Sequence, residues 1–201
     1  MSPKPVLPQG DVLHDFFKNY SLTLSSALES VSKDQLDAVF SLLKSALKRK
    51  SHIYTGGNGG SAAIANHLCC DWMQGTRVSG QPALKVHSLS SNIPLLTALA
   101  NDRGYENSLS EQVETLMEPG DVLVLISSSG ESANIVRAAE LAKKKGLTVI
   151  GLTGFSGGKL RELSNACLHV HAQNYGVIED AHQAVMHVLA QFLQKERSST
   201  S

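Results

Sequence analysis

Two stretches of this 201-residue chain carry ionisable side chains at helical spacing. His67 and Asp71 are four residues apart, and Glu179 and His187 are eight apart with Gln183 midway between them. Residues four apart lie on one face of a helix, where they can hold a metal ion or share a proton. If the two helices meet, two histidines and two carboxylates converge. Each residue taken alone is more simply a surface residue or a helix-end charge.

A glycine-rich turn, Gly56 to Ser61, follows the short apolar stretch His52–Thr55. Its glycines let the backbone adopt positive φ and bring N–H groups close to a ligand, and the helix that follows adds the positive end of its dipole. The turn therefore predicts a phosphate site, although a tight turn alone is the simpler alternative.

Two specific nucleotide sites fit this turn poorly. A P-loop needs a lysine after its last glycine, and here Gly60 is followed by Ser61. The spacing Gly57-x-Gly59-x-x-Ala62 matches a loose dinucleotide fingerprint. That fingerprint also needs an acidic residue after the next strand, which here ends in Ser88-Leu89-Ser90. Hydroxyl groups at a strand end suit a sugar or a phosphate better than NAD.

A second hydroxyl cluster follows a wholly apolar strand and precedes a helix. It consists of Ser127, Ser128, Ser129 and Ser132. One serine would suffice to cap the helix, so we interpret the cluster as a phosphate cradle. Phosphate recognition beside acid and base groups suggests proton transfer on a sugar phosphate.

Composition narrows the class of protein. The formal net charge is zero and the hydrophobic content is 42%, which predicts one well-packed domain and argues against a nucleic-acid partner. Cys69 and Cys70 are adjacent and the cysteine count of three is odd, so we expect no disulfide framework. No segment is long and apolar enough for a signal peptide or a membrane span, so we expect a soluble cytoplasmic protein with no membrane partner.

Strands alternate with helices after two leading helices, which predicts an α/β fold with a doubly wound, parallel, five-stranded sheet. The strands are expected at His52–Thr55, Ala83–Ser88, Val122–Ile126, Leu147–Leu152 and Ala166–His171. The helices are expected at Val12–Val31, Ser32–Leu47, after Ser61, at Ile93–Ala100, Ser108–Met117, from Ser132 to near Gly146, and at Ile178–Lys195. We expect a flexible arm at 1–10, a single domain at 11–196 and a polar tail at 197–201. The leading amphipathic helices suggest oligomerisation.

Five motifs in chain order resemble those of the SIS (sugar isomerase) family, and in particular its phosphoheptose isomerase branch. They are GGNGGSA from Gly56, AND-x-GY from Ala100, ISSSGES-x-N from Ile126, LTG-x-x-GG from Leu152 and IED-x-H-x-x-x-x-H from Ile178. The resemblance covers nearly the whole chain. It implies a homotetramer that isomerises sedoheptulose 7-phosphate to D-glycero-D-manno-heptose 7-phosphate, often with zinc, for surface polysaccharide.

The resemblance also assigns roles by position. It implies Asp71 and His187 as the proton-transfer pair, and one zinc ion per subunit at His67, Asp71, Glu179 and His187. The substrate-binding residues that it implies are Asn58, Gly59, Gly60, Ser61, Asp71, Asn101, Asp102, Ser127, Ser128, Ser129, Ser132 and Glu179.

Two residues depart from the family pattern. Asp71 stands where the family has glutamate, and Glu179 stands where it has glutamine. The shorter carboxylate is either a base or a metal ligand, and the sequence leaves both roles open. The alternative function is a non-catalytic SIS protein that binds a sugar phosphate or acts as a scaffold, of the replication-initiator-associating type.

Overall fold

A single sheet of five parallel strands organises the chain in the computed structural model, which describes residues 3–199. The strands lie in the order β2-β1-β3-β4-β5, and every neighbouring pair is parallel. Their bounds are β1 His52–Gly57, β2 Lys85–Ser88, β3 Val122–Ser127, β4 Thr148–Thr153 and β5 Ala166–His169. The predicted doubly wound parallel sheet is confirmed.

Eight α-helices surround the sheet within the described residues. They are α1 Leu13–Glu29, α2 Lys33–Arg49, α3 Gly60–Cys70, α4 Ile93–Arg103, α5 Ser110–Leu116, α6 Ala133–Lys144, α7 Gly158–Leu163 and α8 Tyr175–Ser198. The buried side chains form two clusters. One includes residues of α2, α3 and α8, and the other residues of α5 and α6, so two hydrophobic layers sandwich the sheet. No described helix is long and apolar enough to cross a bilayer.

The central strand shows why this order is stable. All six residues of β3 are buried, with Leu123 and Leu125 in one cluster and Val124 and Ile126 in the other. A strand covered on both faces needs apolar side chains at every position. Because β1 and β3 are parallel neighbours, their carboxyl ends lie at one edge of the sheet, where the two predicted phosphate loops begin.

Several predicted boundaries are wrong by a few residues. Strand β1 includes Gly56 and Gly57, which were expected in the turn, because both pair with β3. Helix α4 continues to Arg103 rather than breaking at Asn101. Helix α7 was not predicted, since its six residues are too few to show a helical period.

The start of α2 forms only half of a capping box. Ser32 Oγ accepts from the backbone N–H of Gln35 at 3.3 Å, as expected for a cap. The Gln35 side chain does not complete the reciprocal bond; its Oε1 accepts from His169 N at 3.4 Å. Gln35 therefore links α2 to the sheet.

The ends of the chain are held to the domain. Residues 3–10 form no helix or strand, but Val6 N donates to Gln173 O at 2.6 Å and Asn19 Nδ2 donates to Gln9 O at 2.8 Å. Helix α8 runs to Ser198 and so includes two residues that were expected in the tail. Residues 1–2 and 200–201 of the predicted arm and tail lie outside the described residues.

Candidate functional site

The glycine-rich turn brings the backbone of β1 directly to the start of α3. Gly59 is the residue before α3 and has a φ of 53°, in the left-handed region that glycine adopts without strain. A Cβ on Gly60 would lie 2.2 Å from Glu179 Oε2, so only glycine leaves room for that carboxylate. The turn therefore places the N-terminus of α3 next to the start of α8.

A pair of amides joins the glycine-rich turn to the serine loop, which holds Ser127, Ser128, Ser129 and Ser132. Asn58 Nδ2 donates to Asn134 Oδ1 at 2.8 Å, and Asn134 Nδ2 donates to Asn58 Oδ1 at 2.7 Å. Tyr105 OH also donates to Asn58 Oδ1 at 2.8 Å. Asn134 is buried at the start of α6. The three side chains fix the spacing between the two loops that were predicted to bind phosphate.

The serine loop leaves two hydroxyls available. Ser128 Oγ is buried without a hydrogen-bond partner among the described residues. Ser132 precedes α6, yet its side chain makes no capping bond. Ser127 and Ser129 instead accept from the backbone N–H groups of Gly130 and Glu131 and hold the loop in shape. A buried hydroxyl without a partner is costly, so its retention points to a ligand that completes it.

These hydroxyls open into a cavity of about 350 Å³. Its lining combines the glycine-rich turn, the serine loop and the start of α8, through Asn58, Ser61, Ile126, Ser127, Ser128, Ser129, Ser132, Tyr175 and Glu179. The start of an α-helix offers unpaired N–H groups, and here three helices, α3, α6 and α8, begin beside the cavity. The cavity thus has the donors that an anionic phosphate needs without a full positive charge.

Glu179 lines this cavity and differs chemically from an ordinary surface glutamate. Burial raises the pKa of its carboxyl group, and the neighbouring Asp180 raises the pKa further. The protonated form can donate a hydrogen bond, so it repels an anion less than a carboxylate does.

The ionisable residues of α3 and α8 do meet. Asp71 Oδ1 lies 3.3 Å from His67 Nε2, and Asp71 Oδ2 lies 3.1 Å from His187 Nε2. Asp71 begins a short π-helical turn, Asp71–Gly75, that extends α3. The next residue, Trp72, is buried and its Nε1 donates to Met186 O at 3.4 Å. Trp72 therefore anchors the end of α3 against α8 and keeps Asp71 facing His187.

The donor set of this cluster suits a divalent cation. The ligand atoms of His67, Asp71 and His187 all lie within 4.8 Å of one another. The contacts of 3.3 and 3.1 Å involve the two different oxygens of Asp71, so one carboxylate faces both imidazole nitrogens. Two imidazole nitrogens and one carboxylate oxygen are also ligands that zinc accepts.

Glu179 is not part of this group of three. Its carboxylate faces Gly60 at the cavity instead. Glu179 and His187 are eight positions apart on α8, which corresponds to about 12 Å along the helix axis. Its role as a fourth metal ligand stays a prediction.

Asn101 and Asp102 are also outside the cavity lining. Both are exposed at the end of α4, where Asn101 Nδ2 donates to Asp102 Oδ1 at 2.8 Å. Helix α4 buries none of its residues in this single chain. Their predicted contact with substrate stays a prediction.

Three residues at the site were given no role by the sequence. Gln183 lies within hydrogen-bonding distance of both histidines, at 2.9 Å from His67 Nδ1 and 3.1 Å from His187 Nε2. Its spacing, midway between Glu179 and His187, was the available signal. Asn134 and Tyr105 occur within the matched motifs, but only the folded chain shows that they contact Asn58.

Comparison with known proteins places the chain in one family. The model of the SIS domain family matches residues 15–154. A phosphoheptose isomerase of Akkermansia muciniphila is 35% identical over 92% of this chain and 98% of its own length. Another, of Rhodospirillum rubrum, is 40% identical over 74% of this chain and 78% of its own length.

Solved structures agree with this placement. The phosphoheptose isomerase of Neisseria gonorrhoeae superposes with a TM-score of 0.83 at 28% identity, over 92% of this chain and all of that one. The enzyme of Francisella tularensis gives the same TM-score at 26% identity, over 91% and 96% of the two chains. With its cavity of hydroxyls and its cluster of histidines and a carboxylate, the chain belongs to the SIS domain family, in its phosphoheptose isomerase branch.

Proposed function

We propose that this protein is a sugar-phosphate isomerase that interconverts sedoheptulose 7-phosphate and D-glycero-D-manno-heptose 7-phosphate. The observation that carries the proposal is the contact of Asp71 with His67 of α3 and His187 of α8, two helices that also border the phosphate cavity. A protein that only binds a sugar phosphate needs the cavity, but it has no use for adjacent acid and base groups. The names of the relatives support the same activity.

The dimensions of the site suit a long sugar phosphate. Glu179, at the cavity, and His187, in the ionisable cluster, are about 12 Å apart along α8. An open seven-carbon chain with a terminal phosphate has a similar length, about 10 Å with C–C bonds of about 1.5 Å. A phosphate held by the serine loop would therefore leave the carbonyl end of the sugar near Asp71 and His187.

Isomerisation then requires a net transfer of one proton from C1 to C2 and of another from O1 to O2. A base removes a proton from C1 of the ketose while O2 gains one, which forms an enediol. O1 then loses a proton and C2 gains one, which forms the aldose. Asp71 and His187 are the pair that we assign to these transfers, since general acid–base catalysis needs groups within hydrogen-bonding reach of the reacting atoms.

The same cluster is where a zinc ion would bind, through His67, Asp71 and His187; Glu179 would serve as the proposed fourth ligand only if its carboxylate left Gly60 and turned toward them. A bound zinc ion supplies Lewis acidity that polarises a carbonyl group. If zinc were bound there, Asp71 and His187 would both hold it, and the base would be whichever of the two kept a free lone pair.

We also propose that the protein works as a homotetramer with sites completed between subunits. Apolar side chains are exposed on three helices, including Leu13 and Phe17 on α1, Ile93 on α4, and Val188 and Phe192 on α8. Large exposed apolar side chains grouped on unpartnered helices are typical of subunit interfaces. Light scattering on the purified protein would give four chains per particle, and a monodisperse monomer would contradict the proposal.

A second subunit would give Asn101 and Asp102 a role that one protomer does not. Helix α4 carries both residues at its exposed end.

We assign the reaction to the cytoplasm, where heptose phosphate would supply surface polysaccharide.

The decisive experiment follows sedoheptulose 7-phosphate by NMR in deuterated water, with and without added zinc. We expect loss of ketose signal and exchange of the C1 proton. His187→Ala should abolish turnover and exchange while the protein still binds the sugar phosphate. His171→Ala removes an exposed histidine outside the cluster and should leave turnover unchanged.

The outcomes separate the two candidate functions. Binding without turnover or exchange by the unaltered protein would favour the non-catalytic SIS protein. Full activity of His187→Ala would refute the assignment of this cluster as the catalytic centre.

A further inference from the structure

Gln183 is a neutral side chain that contacts both histidines of the cluster. Its amide nitrogen lies 2.9 Å from His67 Nδ1 and 3.1 Å from His187 Nε2. His67 therefore uses both ring nitrogens, since its Nε2 faces Asp71 Oδ1 at 3.3 Å. The amide is half-buried, and it sits one helical turn from His187 on α8.

The hydrogen positions in this cluster cannot all be satisfied when both histidines are neutral. A neutral imidazole carries one N–H, and a 180° rotation of the amide exchanges its donor and acceptor ends. If the amide nitrogen faces the rings, His187 Nε2 accepts from it and has no proton for Asp71 Oδ2. If the amide oxygen faces the rings, His67 donates from Nδ1 and its Nε2 has no proton for Asp71 Oδ1.

Whichever way the amide points, one contact between histidine and Asp71 lacks a proton. A positive charge placed between those atoms removes the repulsion. A proton or a divalent cation does so, and a divalent cation also accepts both lone pairs. The cluster thus has a built-in preference for a cation that the distances alone do not reveal.

We infer that Gln183 is a positioning residue for the metal site: its carbonyl oxygen accepts the Nδ1–H of His67 and so directs the Nε2 lone pair of His67 at the cation. Histidines that bind metals usually donate their other N–H to a carbonyl or carboxylate, which sets the tautomer and the ring orientation. His67 is the exposed member of the cluster, so few other contacts hold its ring. The inference rests on the proposed metal site.

Two variants separate this role from a general structural one. Gln183→Met keeps an unbranched side chain of similar length but has no acceptor for His67. Gln183→Glu keeps the acceptor and strengthens it, because a carboxylate accepts hydrogen bonds better than an amide. Gln194→Met alters an exposed glutamine farther along α8 and is the matched control.

The measurement is zinc affinity of the full-length apoprotein, by competition with a chromophoric chelator, together with the visible spectrum of the cobalt-substituted protein. We expect Gln183→Met to weaken zinc binding by roughly 10- to 100-fold. Gln183→Glu should bind zinc at least as tightly as the unaltered protein, and Gln194→Met should match it. The cobalt spectrum should change for Gln183→Met alone, while urea midpoints confirm that each variant is folded.

Other outcomes would overturn the inference. Equal zinc affinity for Gln183→Met and the unaltered protein would mean that the amide does not position His67. Equal losses in Gln183→Met and Gln183→Glu would mean that the amide donates rather than accepts. If the unaltered protein binds no zinc, the inference fails, while the isomerase proposal is judged separately by turnover without metal.

Discussion

Two buried histidines make the stability of the protein depend on pH. His182, on α8, is 1% exposed, and its Nε2–H donates to Thr153 O at 3.1 Å. Its Nδ1 has no partner within the described part of the chain. Burial lowers the pKa of His182 to about 4. Burial, and then the positive charge of Arg161, lowers the pKa of His169 to about 4 as well.

The direction of the effect follows from proton binding in the two states. An unfolded histidine has a pKa near 6.5, so between about pH 6.5 and pH 4 the unfolded chain binds a proton that the folded chain does not. The free energy of unfolding is therefore fully retained above about pH 6.5 and falls as the pH is lowered. For His182 the loss between pH 7 and pH 5 is about 2 kcal/mol. Total stabilities are about 5–15 kcal/mol, so the change is measurable.

The test is urea unfolding of His182→Gln at pH 7, 6 and 5, at one protein concentration and with a chelator present, because oligomers and metals also shift apparent stability. The glutamine amide can donate to Thr153 O but does not titrate. We expect the variant to be less stable at pH 7, since a buried side chain is altered, and to lose about 2 kcal/mol less than the unaltered protein on going to pH 5.

A control defines what would refute this reasoning. His14→Gln changes an exposed histidine of α1 and should follow the pH dependence of the unaltered protein. If His182→Gln also runs parallel to the unaltered protein, the buried neutral His182 does not set the acid sensitivity.

Two further predictions concern the cavity. Ser128→Ala removes a buried hydroxyl without a partner, so the urea midpoint should stay equal or rise, while affinity for sugar phosphate by calorimetry falls by roughly 10-fold, as for loss of a hydrogen bond to a charged group. Unchanged affinity would show that the hydroxyl does not face the phosphate. Asn134→Leu removes both amide bonds to Asn58 and should lower kcat/KM by roughly 100-fold through misplacement of the glycine-rich turn. Unimpaired kcat/KM in steady-state assays would show that the amide pair does not position that turn.

Local patterns in the sequence were sufficient for the fold. The wholly apolar β3 and the alternation of strands with amphipathic helices predict a parallel sheet, because a strand buried on both faces must be apolar throughout. The turn residues around Gly59 and the serines before α6 also locate the phosphate loops. A phosphate is bound there by backbone N–H groups and hydroxyls that lie close together in the sequence. The spacing of His67 and Asp71 on one helix face also required no tertiary information.

Tertiary structure decided which side chains meet across elements. The contact of Asp71 with His187, and the position of Gln183 between the histidines, depend on how α3 packs on α8 through Trp72. Helical periodicity groups Glu179 and His187 on one face of α8. It does not show how far apart they lie along the helix axis. The separation of eight positions along α8 leaves Glu179 at the cavity, beside Gly60.

Local patterns also do not predict contacts between residues that are far apart in the sequence. Asn134 reaches Asn58 from a residue 76 positions away, and His182 is buried by contacts that no local pattern encodes. Asn101 and Asp102, by contrast, match a family motif yet lie exposed at the end of α4. Sequence determines what each residue can do chemically and on which face it lies; only packing determines which of those groups come within a few ångströms of one another.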